Sequence, residues 1–275
     1  MMPSPTVASL AADLVAEQAA LDVVVGGLTE AQWHLATPSP GWTVADQIGH
    51  LQYFDGTATN AIMHPEVFAA QRDELVAASL NHPDTADALT LGPWRAMTVA
   101  ARREQWRAQR NRLALATTTL TDDQRIDWYG PSMGAKSFLT ARLMETWAHG
   151  QDVVDALAAA GLEASRPATD RLRHIAQLGV ITRRWSYLNR GLEMPAEEVG
   201  VELLGPSGDL WRWGGDDNPA TVRGLAEHFC LVVTQRRHRD DTDLAVTGAA
   251  AADWLDHAQA FAGGPTTGPP ATHPR

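Results

Sequence analysis

A carboxylate and an imidazole lie four residues apart, at Glu145 and His149, in a segment with helical patterning. Side chains at this spacing lie on the same face of a helix, so both can reach one point in space. A second imidazole, His50, lies about a hundred residues earlier in another segment with helical patterning. A fold that unites the three must pack those two helices side by side. Three such ligands leave a zinc-type ion one open position, which is typical of catalytic rather than structural sites.

Apolar residues at steps of three, four and seven predict four helices in the first part of the chain. The first covers residues 5–25, the second 43–64 and the third 93–120, while the fourth follows the turn at 129–134 and contains Glu145 and His149. Residues 65–92 are predicted to be a loop or lid with a short helix inside. A four-helix bundle with this long crossover between the second and third helices can enclose an internal site.

The pattern changes after the bundle, which is predicted to occupy residues 1–165. A helix over about 168–190 lies in a connecting segment assigned to 166–195. Alternating apolar residues and turn residues then predict two strands joined by a hairpin-like loop, over 199–204 and 209–214. Helices over 221–239 and 249–261 would cover one face of that sheet, in a small α+β domain over 196–264. The chain is therefore predicted to be α+β, with a disordered tail rich in glycine and proline at 265–275.

Charge and cysteine content narrow the classes of function. With 22 basic and 33 acidic side chains, the formal net charge is -11, which disfavours nucleic acid and anionic membranes as partners. The single cysteine, Cys230, excludes an intrachain disulfide and reads as a buried small hydrophobe. We find no basic leader segment and no apolar run of about eighteen residues, so neither a signal peptide nor a spanning helix is predicted. These features favour a cytoplasmic protein. The sequence leaves a monomer and a homodimer open.

Two segments carry a resemblance to a known family: residues 41–51, GWTVADQIGHL, and residues 145–152, ETWAHGQD. Together they resemble the DinB/YfiT-like metal-binding superfamily, and within it the mycothiol-dependent maleylpyruvate isomerase group is the nearest. The resemblance implies a DinB-like bundle, an appended α+β domain, and His50, Glu145 and His149 as metal ligands. It also implies a divalent metal as cofactor, zinc before nickel or iron, and mycothiol as the candidate thiol.

Further side chains are candidates for supporting roles. Asp46 lies four residues before His50 and Asp152 three after His149, so either could orient a ligand from behind, although Asp46 also suits a helix cap. In the isomerase-like group an arginine of the second domain faces the metal site. Arg236, Arg237 and Arg239 are the candidates here for binding a substrate carboxylate, with Arg236 and Arg237 preferred. The alternative is that this charged segment is a solvated helix end with local ion pairs.

Three functions remain open from the sequence. The first is a metal-dependent isomerase or thiol transferase that acts on a small organic substrate bearing a carboxylate, with a low-molecular-weight thiol. The second is a metal enzyme that uses Lewis-acid chemistry without any thiol, as a hydrolase, cyclase or rearrangement catalyst. The third is a non-catalytic stress protein that binds metal or ligand. Fold-level resemblance alone cannot choose among them.

Overall fold

The computed structural model describes residues 5–81, 83–215 and 217–272, and its internal contacts divide the chain into two units. One unit extends to Arg166 and the other begins at Pro167. The predicted fold class is confirmed, since a helical bundle is followed by a smaller α+β unit. None of the described helices is both long and apolar enough to cross a bilayer.

Four long helices form the bundle of the first unit: α1 (Val7–Gly26), α3 (Val44–Met63), α6 (Val99–Thr117) and α7 (Ala135–Ala159). Helix α1 packs on α7 and α6, and α3 packs on the same two helices. The remaining elements are α2 (Glu30–Trp33), α4 (Pro65–Asn81), α5 (Pro83–Arg95) and a two-stranded ribbon, β1 (Arg125–Ile126) with β2 (Met133–Gly134). The crossover predicted between the second and third long helices is present.

The crossover differs from its prediction in content. Residues 65–92 were expected to be a loop or lid with one short helix, yet the structure has the two helices α4 and α5 there. Residue 82, between them, lies outside the described part of the chain. The predicted start of a long helix at Pro93 is also wrong, because Pro93 lies inside α5 and α6 begins only after Thr98. The hydroxyl of Thr98 accepts a hydrogen bond from Ala101 N, which caps the new helix.

Trp94 of α5 fixes the crossover against α3. Its side chain is 1% exposed, and its indole nitrogen donates to the carbonyl oxygen of Ala45 at 2.7 Å. The ring lies against Gly49, where an added Cβ would be 2.6 Å from Cδ1 of the indole. Only glycine therefore fits directly before His50 without movement of the indole or the helix.

A buried polar junction joins all four long helices at Asp55 of α3. Arg142 of α7 donates to its Oδ1 at 2.8 Å, and Gln18 of α1 donates to its Oδ2 at 2.8 Å. Gln109 of α6 donates to the backbone carbonyl of the same residue at 3.2 Å. The side chains of Arg142 and Asp55 are 3% and 0% exposed. A charge left unpaired at this depth would be strongly destabilising, so the junction fixes how the helices face one another.

The second unit is built on a four-stranded sheet with the order β4-β3-β5-β6. Strands β3 and β4 form an antiparallel hairpin as predicted, β5 runs parallel to β3, and β6 is antiparallel to β5. Helix α10 packs on β3 and β5, while α11 packs on β5 and β6. The bounds are α8 (Leu172–Ile181), α9 (Arg183–Leu188), β3 (Val199–Leu204), β4 (Leu210–Trp213), β5 (Ala220–Leu225), α10 (Ala226–Val233), β6 (Ala245–Thr247) and α11 (Ala249–His257), with a 3-10 turn at Arg239–Asp241.

Three predictions for this unit are corrected. The helix expected over 221–239 is strand β5 up to Leu225, because residues 220–222 pair with β3 and are buried. The single helix expected over 168–190 is interrupted at Thr182, whose hydroxyl donates to the carbonyl oxygen of Leu178. The tail expected to be disordered is held as far as Thr272, whose backbone N–H and hydroxyl both donate to the Asp241 carboxylate. Residues 273–275 lie outside the described part.

We expect Arg142→Leu to lower the free energy of unfolding by about 3–5 kcal/mol, because it leaves the buried Asp55 carboxylate without its cation. Urea unfolding followed by circular dichroism measures the change. The matched control is Arg72→Ala, which removes an exposed ion pair with Asp73 and should cost about 0–1 kcal/mol. Adding Asp55→Asn to Arg142→Leu should recover part of the loss. Equal stability of the two single variants would contradict a structural role for the junction.

We expect Cys230 to resist alkylation in the folded protein. The thiol is fully buried and lies 3.5 Å from the carbonyl oxygen of Leu172, and burial raises its pKa well above the ordinary value. The reactive thiolate is therefore scarce at neutral pH. Mass spectrometry after iodoacetamide treatment at pH 8 should find the native protein unmodified and the urea-unfolded protein carrying one label. Comparable labelling of both states would disprove the assignment of Cys230 as a buried, inert residue.

Candidate metal centre

Helices α3 and α7 lie side by side and bring the three predicted ligands together. One ligand atom each from His50, Glu145 and His149 lies within 4.8 Å of the other two. Oε2 of Glu145 is 3.2 Å from Nε2 of His149 and 3.5 Å from Nε2 of His50. The carboxylate therefore lies between two imidazole nitrogens that belong to different helices.

Local sequence sets the position of each ligand. Thr43 and Asp46 form a capping box that starts α3, and His50 follows nearly two turns later. Gly49 admits the Trp94 indole behind it. On α7 the i, i+4 spacing of Glu145 and His149 places both side chains on the face that meets α3.

Electrostatics favour the protonation states of His50 and Glu145 that metal binding requires. Burial lowers the pKa of His50 to about 4, and the charge of His149 adds to this effect against the opposing influence of Glu145. Burial by itself would raise the pKa of Glu145, but hydrogen bonds to His149 and His50 outweigh it and hold the pKa well below its usual range. A neutral imidazole and an ionised carboxylate are the forms that ligate metals.

The donor set fits a divalent transition metal. Two imidazole nitrogens and one carboxylate oxygen form a ligand set that zinc accepts, and imidazole also suits nickel and iron. The His50 and Glu145 side chains keep 20% and 25% of their surface exposed, so one side of the group faces outward. A cation held there would have room for an exogenous ligand.

The partners behind the ligands differ from those expected. Nδ1 of His149 lies 2.5 Å from Oε1 of Gln47, a fully buried residue that the sequence reasoning missed. Asp152, which was predicted for this role, is farther away, with Oδ2 at 3.8 Å from the same nitrogen. Both oxygens of Asp46 are engaged elsewhere, Oδ2 by Thr43 and Oδ1 by Arg95. The signal for Gln47 was its place three residues before His50, on the same face of α3.

Aromatic rings surround the two imidazoles. Trp42 stacks on His149 with a centroid distance of 6.0 Å and an interplanar angle of 22°, and it also lies 5.3 Å from His50. Phe54 packs on His50 at 4.5 Å and contacts Tyr129 at 5.4 Å. These rings restrict the imidazole orientations and limit the access of water to the ligands.

Arg236 and Arg237 lie in the second unit, directly after the turn that ends α10. Arg236 Nη1 donates to the carbonyl oxygen of Thr234, and Arg237 Nη1 donates to that of Arg236. Arg237 also lines a cavity of about 380 Å³ within this unit, together with His238, Arg239 and the C-terminal segment. A role of either arginine toward the metal centre stays a prediction.

Comparison with known proteins agrees with this architecture. Residues 14–154 match the family described as Mycothiol maleylpyruvate isomerase N-terminal domain. Two Mycobacterium tuberculosis proteins, named uncharacterized protein MT0041 and uncharacterized protein Rv0036c, are each 45% identical to the chain, with 97% of it and 98% of each relative covered.

The fold is similar to that of two crystal structures, of the mycothiol-dependent maleylpyruvate isomerase and of a mutant of it. Each has a TM-score of 0.55 and 16% identity, with 91% of this chain and 94% of the other covered. At this identity the likeness concerns the fold alone. The match over residues 14–154, which include all three candidate ligands, shows the family. The chain belongs to the mycothiol maleylpyruvate isomerase N-terminal domain family.

Proposed function

We propose that the protein is a divalent-metal-dependent enzyme that isomerises a small organic acid, or transfers a thiol to it, with a low-molecular-weight thiol as co-reactant. The observation that carries the proposal is the convergence of His50, Glu145 and His149 in a bundle of this family. Their exposed side gives a substrate or thiol access to the metal position. We propose the cytoplasm as the site of action.

His50, Glu145 and His149 would hold the metal, and zinc is the ion that suits them best. When bound, the cation would act as a Lewis acid and lower the pKa of a thiol or water molecule beside it. The single negative charge of Glu145 would only partly neutralise a divalent ion, so the centre would keep a net attraction for anionic ligands. Trp42 and Phe54, packed on the imidazoles, would exclude water from the inner side.

Mycothiol is the candidate thiol, because both the matched family and the structurally similar enzyme are named for it. In a thiol-dependent isomerisation the thiolate adds to an electrophilic carbon, a bond rotates, and expulsion of the thiolate regenerates the thiol. Nothing is consumed, so the chain needs no redox partner for this reaction. Cys230 is buried and does not serve as the nucleophile in this proposal.

A carboxylate on the substrate is the second part of the proposal. Arg236 and Arg237 are its candidate partners, since a guanidinium binds a carboxylate through paired hydrogen bonds. The role of these arginines is tested separately from the metal site. Loss of either arginine should raise KM for a substrate with a carboxylate while the metal content stays unchanged.

We expect His149→Ala and His50→Ala to lose the metal and the thiol-dependent activity together. Zinc measured by atomic emission should fall from roughly one equivalent per chain to a small fraction, because two ligands hold zinc poorly. The control is His34→Ala, which removes an exposed imidazole at the end of α2. Retention of a full zinc equivalent in both ligand variants would contradict the site.

We expect turnover of maleylpyruvate or a related unsaturated oxo acid to require both zinc and a thiol. The assay compares zinc-loaded protein with mycothiol, with another small thiol and with none. Turnover that is equal without thiol would replace the thiol mechanism with Lewis-acid catalysis. Tight zinc binding without turnover of any such acid would instead favour a metal-binding protein.

A further inference from the structure

A chain of hydrogen bonds runs from the imidazole of His149 to a backbone carbonyl outside the helices. His149 Nδ1 lies 2.5 Å from Oε1 of Gln47, and Nε2 of the same amide donates to Oγ1 of Thr37 at 2.8 Å. The Thr37 hydroxyl in turn donates to the carbonyl oxygen of Trp42 at 3.0 Å. Gln47 is fully buried, so bulk water cannot hydrogen-bond to its amide in place of these two partners.

The hydrogen bond from Thr37 to Trp42, the last of this relay, favours one direction for the others. A carbonyl oxygen only accepts, so the Thr37 hydroxyl uses its single proton toward Trp42. Its oxygen is then an acceptor for the Gln47 amide nitrogen, and the Gln47 oxygen faces His149. That oxygen also only accepts, so Nδ1 of His149 must carry a proton. The other ring nitrogen, Nε2, lies 3.2 Å from Oε2 of Glu145 and is then the nitrogen left for a metal ion, which would take the place of any proton shared with that carboxylate.

The turn that contains Thr37 and Trp42 is closed by two backbone hydrogen bonds. Thr37 N–H donates to the Trp42 carbonyl at 2.9 Å, and Trp42 N–H donates to the carbonyl of Ser39 at 3.1 Å. Gly41 completes the turn with a φ of 78°, in the region that favours glycine. The same turn carries the Trp42 indole that stacks on His149. The turn therefore contacts His149 in two ways. Thr37 acts on the edge of the imidazole through Gln47, and Trp42 stacks on its face.

We infer that Gln47 and Thr37 are positioning residues that keep a proton on Nδ1 of His149, so that Nε2 is the ring nitrogen that binds the metal ion. This inference rests on the proposed metal site and adds the device that prepares one of its ligands. A neutral amide performs this role here, whereas Asp152 lies too far from Nδ1 for a hydrogen bond, at 3.8 Å. Oδ2 of Asp152, the oxygen at this distance from the ring, accepts a hydrogen bond from Ser39 at 3.4 Å.

The opposite direction is the competing arrangement. In it the Thr37 hydroxyl would donate to Gln47, the Gln47 amide would donate to Nδ1, and Nε2 of His149 would keep its proton toward Glu145. Nδ1 would then carry no proton, and a metal at Nε2 would require the whole relay to reverse. One direction places a proton on Nδ1 of the zinc-free protein and the other leaves Nδ1 without one, so they are distinguishable without any assay of activity.

The first test measures zinc affinity by competition with a chromophoric chelator. Gln47→Leu removes the acceptor at nearly constant volume and should weaken zinc binding by about 10–100-fold. Gln47→Glu keeps an acceptor for Nδ1–H and should bind zinc about as tightly as the native protein. Thr37→Val should weaken binding, whereas Thr37→Ser, which keeps the hydroxyl, should not. Gln52→Leu, on the same helix but outside the relay, is the matched control for folding.

The second test records the long-range ¹H–¹⁵N spectrum of the His149 ring in zinc-free protein. We expect a protonated Nδ1 in the native chain, with this preference lost in Gln47→Leu. An unprotonated Nδ1 in the native chain, or unchanged zinc affinity in folded Gln47→Leu and Thr37→Val, would overturn the inference. Failure of the native protein to bind zinc would instead refute the proposed metal site, so the two failures are distinct.

Discussion

The packing of the first unit depends on the buried ion pair and hydrogen bonds of Asp55. Its carboxylate accepts hydrogen bonds from α1 and α7, and its backbone carbonyl accepts one from α6. Apolar contacts alone would tolerate small rotations and shifts of these helices, since they have no direction. A charged pair sealed in the interior tolerates few, because any misalignment leaves a charge unpaired. The junction thus selects one register for the whole bundle.

That register determines the candidate metal centre. Asp55 follows His50 by five residues on α3, and its partner Arg142 precedes Glu145 by three on α7. The ion pair and the ligand group are successive polar layers across the same pair of helices. A displacement of α7 by one residue would break both layers together. The positions of the candidate ligands therefore depend on the ion pair between Asp55 and Arg142, which takes no part in the proposed reaction.

Regular sequence patterns allowed the helices of the bundle to be predicted. Contacts that follow no sequence pattern could not be predicted. Helical spacing indicated the bundle, and spacing together with the family resemblance indicated the candidate ligand set. The role of Gln47 depends on a partner about a hundred residues away and on a turn whose shape no periodicity encodes. Strand β5 was mistaken for a helix start because its short apolar run has no distinguishing period. Helix α4 was underestimated because its apolar residues do not gather on one face, and α5 was missed because Pro93, which lies inside it, was taken as the start of the next helix.

The contact between Gly49 and Trp94 has a consequence for how such proteins can diversify. The end of α5 attaches to the start of the ligand-bearing helix through the Trp94 indole, held by the Ala45 carbonyl, and through Arg95, which donates to Asp46. Helix α4 attaches farther along the same helix, where Asn60 donates to Gln71. As long as these attachments are kept, substitutions on the exposed side of α4 would leave His50 in place, so new surfaces can arise there without a change in the candidate ligands.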